Sequence, residues 1–75
     1  MQILREACEQ LLERLHAIKD PDGITKELRA ECERRLAIFA GWNENPPGAG
    51  EVARVHAESF TFYRRAILYL DGKGV

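Results

Sequence analysis

Cys8, His16, Cys32 and His56 carry the chemistry of metal ligands, and Ser59 with His56 carries the chemistry of a nucleophile beside a base. A structural zinc site usually takes two ligands from one turn, as in C-x-x-C or H-x-x-x-H. Each of these four residues stands alone in the sequence, so the spacing argues against a metal, and no cofactor is expected. Ser59 is the only serine and follows His56 by three residues. It falls on the apolar side of a helical pattern, where a small residue lets a neighbouring helix approach, and packing explains it better than a catalytic pair that would also need an oxyanion site. The carboxylates fall on solvated faces, away from the desolvation that raises a pKa for general acid work. GAGEVA is too short a match for a phosphate-binding loop, and no strand precedes it. The expectation is a protein that is not an enzyme and has no small-molecule substrate.

Arg54, Arg64 and Arg65 form the cationic part of one helix face, next to Phe62 and Tyr63. Such a face could contact phosphates with aromatic support. Glu58 shares it, however, and the connection before this helix is much longer than the turn of a helix-turn-helix. A solvated charged face, a protein partner's acidic patch and nucleic acid are the three readings, in that order. Leu68 sits alone on the same polar face and could join Arg64 and Arg65 in a contact patch.

The element that positions these residues is the stretch Glu51 to Leu70, which holds Phe60, Phe62, Tyr63 and Tyr69, four of the six aromatic residues. At about 100° per residue, Val52, Val55, Ser59, Phe62, Tyr63, Ala66, Tyr69 and Leu70 fall together, with Phe60 and Ile67 extending the face. That apolar sector covers roughly half the circumference, wider than a helix covered from one side needs. A second surface is therefore expected to cover it, either the other helices or another chain.

Two helices precede it. Leu4, Ala7, Leu11, Leu15 and Ile18 give helical spacing over residues 2–19, with Ile3, Cys8 and Leu12 on the flanks and Arg5, Glu6, Glu9, Glu13 and His16 on a solvated face. Asp20-Pro21-Asp22-Gly23 fits a type I turn. Thr25 is positioned to cap a second helix over residues 25–40, with Ile24, Leu28, Cys32, Leu36 and Phe39 as its core stripe and Gly41 as its stop. So short a connection implies an antiparallel hairpin. Cys8 and Cys32 then lie at similar heights, where a disulfide is conceivable but reduced, partly buried thiols are expected.

Arg35 falls among Leu28, Ile38 and Phe39 on the side read as buried. Either its stem lies on apolar surface while the guanidinium reaches water, or it pairs with a partner's carboxylate. Residues 41–50, GWNENPPGAG, are read as a loop. Trp42 in it either plugs the open end of the core or anchors a partner. The tail, residues 71–75, is expected to fray.

The predicted fold is all-α, an antiparallel hairpin plus a third long helix forming one three-helix bundle, which dimerisation could complete. A chain of 75 residues buries only about 60% of its unfolded surface on folding, so extra contacts matter. With 45% hydrophobic and 31% charged residues and a formal net charge of -1, the composition is that of a soluble globular domain and gives no electrostatic preference for nucleic acid or an anionic membrane. No run is long enough to span a bilayer, and MQILREACEQ lacks the basic start and apolar stretch of a secretion signal, so a cytoplasmic location is expected. The leading expectation is an interaction module, an adaptor or inhibitor of a larger protein partner or a homodimer, working through Arg35, Trp42, Phe62, Arg64, Arg65, Leu68 and Tyr69. Small phage or mobile-element inhibitors share this profile of size and class, by analogy only. The alternative is a dimeric nucleic-acid-binding regulator using Arg54, Arg64 and Arg65.

Overall fold

The computed structural model describes residues 2–72. They form three helices, α1 (Gln2–His16), α2 (Gly23–Gly41) and α3 (Ala49–Gly72), and no strand occurs among the described residues. Helix α1 packs against both α2 and α3, giving the expected all-α three-helix bundle. Cys8 facing Cys32, and Leu15 facing Arg29, make α1 and α2 antiparallel. Helix α3 runs parallel to α1: Ile3, Leu4 and Ala7 flank the same groove as His56, Phe60 and Tyr63, and Arg14 reaches Asp71 at 3.8 Å.

The core is built from Cys8, Leu11 and Leu15 of α1, Leu28 and Cys32 of α2, and Phe62, Ala66 and Leu70 of α3. Each fully buried leucine contributes about 1.5–3 kcal/mol of transfer free energy. In α3 the buried stripe is Val55, Ser59, Phe62, Ala66 and Leu70, spaced by three and four residues, the period that keeps one helix face inward. At the opposite end from the α1–α2 turn, Phe39, Trp42 and His56 form a second, aromatic cluster, with ring centroids 5.3–5.8 Å apart and two of the three pairs edge-to-face, the arrangement that ring quadrupoles favour.

Several boundaries differ from the sequence expectation. Helix α1 ends at His16 rather than residue 19, because the chain leaves it through a tightened turn in which the Ile18 N–H donates to the Leu15 carbonyl at 3.3 Å. The type I turn over residues 20–23 is not formed: Asp22 is extended, with φ -76° and ψ 179°, far from the value near 0° that the third position of such a turn requires. Asp22 is instead the N-cap of α2, its carboxylate accepting from the Thr25 N–H at 2.7 Å. Thr25 is thus a buried first-turn residue and not the cap. Thr25, Leu28, Cys32 and Phe39 point inward, and Ile24, expected in the core, is 52% exposed.

Gly41 is the last residue of α2 rather than its stop. Trp42 is still right-handed, at φ -68° and ψ -19°, and Asn43 and Glu44 continue with i to i+3 bonds onto Ala40 and Gly41. The end comes at Pro46 and Pro47, since a proline disfavours helical geometry at the residue before it and supplies no N–H. Helix α3 begins at Ala49, two residues before the expected Glu51, its first turn closed by the Val52 N–H on the Gly48 carbonyl at 3.1 Å. It continues through Asp71 and Gly72, which were expected to fray. The rest of that tail, residues 73–75, lies outside the described residues.

Candidate protein-binding surface

The seven residues expected to bind a partner do not form one surface. Phe62 is 4% exposed and belongs to the core, so it offers nothing to a partner. A helix wheel puts Phe60 and Phe62 in one wide apolar sector, but they lie about 200° apart and cannot both face inward. Tyr69 is half-buried and packs against the core, and its hydroxyl donates to the Asp22 carboxylate across the bundle. Trp42 is half-buried between Phe39 and His56, covering the end of the bundle.

Arg35 neither reaches freely into water nor stands unpaired. Its side chain is only 17% exposed. Its Nε donates to Glu31 Oε2 at 2.7 Å, and its Nη1 to Glu58 Oε1 at 3.4 Å, so it ties α2 to α3. Arg34 also bonds Glu31. These guanidiniums, Arg34 first, hold the Glu31 carboxyl below the usual carboxylate range, although its partial burial opposes them. Arg54 is likewise engaged, with Glu58 at 3.3 Å and Glu51 at 3.9 Å. Arg64, Arg65 and Leu68 are exposed, and no ion pair holds either arginine among the described residues.

The residues with metal or nucleophile chemistry are built into the packing. Ser59 is fully buried and its Oγ has no hydrogen-bond partner. The Nε2 of His56 is also buried and unpartnered, within the Phe39 and Trp42 rings. Cys32 Sγ donates to the Cys8 carbonyl oxygen at 3.1 Å, and both cysteines are free thiols with no solvent exposure. Burial, reinforced by Cys8 and by Glu33 and Glu31, pushes the Cys32 thiol up to about 12. Among the described residues no cluster of three or more His, Cys, Asp or Glu could hold a metal ion.

The prominent open feature is a groove between α1 and α3, with a volume of about 680 Å³, lined by Ile3, Leu4, Ala7, His56, Ala57, Phe60 and Tyr63. No carboxylate, lysine or arginine lines it. Ile3 on one rim is 84% exposed and Phe60 on the other 53%, and with the groove floor they form one contiguous apolar patch, the kind of surface that marks an interaction site. Neither was expected to be a site residue. The signal was present in α3, where Ala53, Phe60 and Ile67 recur every seven residues, the repeat of a helix that packs against another along its length. Ile3 gave no signal, because its exposure depends on α3 running alongside α1 in parallel.

No family model, curated protein or solved structure matches the chain. No helix among the described residues is long and apolar enough to cross a membrane.

Proposed function

We propose that the chain is a small, non-catalytic interaction module that receives a helix of another polypeptide in the groove between α1 and α3, and so acts as an adaptor or inhibitor. The observation that carries this reading is the groove free of carboxylate, lysine and arginine side chains, with Ile3 and Phe60 standing exposed on its two rims. Two neighbouring helices leave a channel that a third fills at an interaxial distance of about 8–10 Å, and an apolar helix face gains roughly 25 cal/mol for each Å² it removes from water there. Arg64, one turn beyond Phe60 on the rim, supplies a cation for a carboxylate on the incoming helix.

The alternative, a nucleic-acid regulator, requires Arg54, Arg64 and Arg65 to act together. With Arg54 engaged by Glu51 and Glu58, the free cationic patch shrinks to two side chains, which favours the protein-binding reading.

The test is recovery of the tagged chain from its native host, followed by mass spectrometry, for wild type and Phe60→Glu. Phe60 is half-exposed, so the variant is expected to keep its helicity and lose the co-purifying protein. Equal recovery by both forms would refute the groove as the binding surface.

A further inference from the structure

We infer that the face carrying the groove is covered by a second copy of this chain, related by a two-fold axis that runs parallel to the helices. This inference rests on the reading of the groove as a protein-binding surface and names its occupant.

Arg14 reaches Asp71 at 3.8 Å, which puts residues of α1 about level with residues of α3 57 positions later, and Ile3, Leu4 and Ala7 accordingly line one groove with His56, Phe60 and Tyr63. Ile3 is therefore level with Phe60, and Glu6 with the turn that carries Arg64. Glu6 follows Ile3 by three residues and Arg64 follows Phe60 by four, so the helical period sets each beside its rim residue; both are exposed, and neither has an ion-pair partner among the described residues. A two-fold axis along the helices lays α1 of one copy over α3 of the other at the same level. Ile3 then meets Phe60 of the second copy, Glu6 meets Arg64, and both contacts occur twice. An axis across the helices would instead set the Glu6 edge on the Glu6 edge and the Arg64 edge on the Arg64 edge, bringing like charges together. Seven residues on, the same edges carry Glu13 and Asp71, and Asp71 is offset within its own chain by Arg14 at 3.8 Å, so the Glu6–Arg64 pair selects the first arrangement.

The size is adequate. A standard interface takes about 800 Å² from each partner, and the accessible surface of this chain is 5086 Å². An interface of that size would cover about a sixth of each copy's surface.

The experiment is sedimentation equilibrium on the full chain over a wide concentration range, with four variants checked for wild-type helicity. Wild type is expected to reach twice its 8.5 kDa mass, and Phe60→Glu to stay at the monomer mass. Arg64→Glu and Glu6→Arg should each weaken the dimer about tenfold, by loss of two ion pairs and gain of repulsion, while the double variant Glu6→Arg with Arg64→Glu returns to within about twofold of wild type. A wild-type mass that stays monomeric to millimolar concentration overturns the inference, as does a double variant as weak as the two single ones together. If wild type is monomeric yet Phe60→Glu still loses a host protein, the second copy is the wrong occupant and the groove remains a binding surface. If Phe60→Glu changes neither measurement, both readings fail.

Discussion

Arg29 of α2 closes the carboxyl end of α1. Its Nε and Nη2 donate to the Leu15 carbonyl at 3.0 and 2.7 Å, and Nη2 also donates to the Ile18 carbonyl at 3.0 Å. The last carbonyls of a helix lack intrahelical donors and carry the negative end of its dipole, so a guanidinium there satisfies both needs. It also joins the first two helices at the point where the chain reverses. Arg29→Ala should lower stability by about 1.5–3 kcal/mol, the range for hydrogen bonds to a charged group. Arg29→Lys should recover little of this, because an ammonium lacks the planar fork. Urea unfolding of the two variants decides it, and a lysine variant equal to wild type would rule out the forked cap.

Asp22 acts at the start of α2 as Arg29 does at the end of α1. Asp22→Ala removes the bond to the Thr25 N–H, a loss expected to cost about 1 kcal/mol, and with it the acceptor of the Tyr69 hydroxyl. Tyr69→Phe, which removes only the hydroxyl that reaches Asp22, should cost about 0.5–1.5 kcal/mol. Because both variants affect one shared carboxylate, a double-mutant cycle should show coupling. Strict additivity would mean that the Tyr69 bond contributes nothing.

The two cysteines should be inert in the folded state. A thiol pushed up to about 12 by burial holds almost no thiolate near neutral pH, so iodoacetamide should label Cys32 only as fast as the chain opens. Cys8 is raised as well, again chiefly by burial. Both folded-state values lie above the unfolded ones. Their contribution to stability is therefore complete below about pH 8.5 and is lost as pH rises through the folded values. Thermal midpoints should fall through this alkaline window in wild type and fall less in Cys32→Ala, which lacks one of the titrating groups.

Glu31 gives the opposite sign in acid. Its carboxyl is held low by Arg34 and Arg35, so the unfolded chain takes up its proton first. The stability it contributes is present above the unfolded carboxylate pKa and is lost as pH falls through the depressed folded value. Glu31→Gln should lower stability at neutral pH by about 0.5–1 kcal/mol and flatten the acid limb of the pH profile. An unchanged acid limb would contradict the assignment.

Most of the bundle was legible in the sequence because periodicity is a local property. The stripe of Val55, Ser59, Phe62, Ala66 and Leu70, and Leu11 and Leu15 facing it, repeat at the helical period whatever lies opposite, whereas Cys8, read as a flank, is fully buried. The features that the sequence hid depend on more than one element. Arg29 drew no expectation from the sequence, since nothing in its spacing places it on the end of α1. Thr25 and Asp22 are both good caps by type, and only the dihedral angles distinguish them. Phe60 and Phe62 looked alike on a wheel, and the placement of α1 and α2 decides that Phe62 is core and Phe60 is rim. The same dependence hid the groove, whose two walls come from opposite ends of the chain.

The central claim is that the face shared by α1 and α3 is meant to be covered by another polypeptide. Its most direct measurement is amide hydrogen exchange of the 75-residue chain purified with its bound protein, or at high concentration with its own second copy, against the dilute monomer. Protection is predicted to rise around Ile3 to Ala7 and His56 to Arg64 and to stay unchanged along the outer face of α2. Equal protection in the free and bound forms on α1 and α3, or a gain confined to α2, would contradict the account.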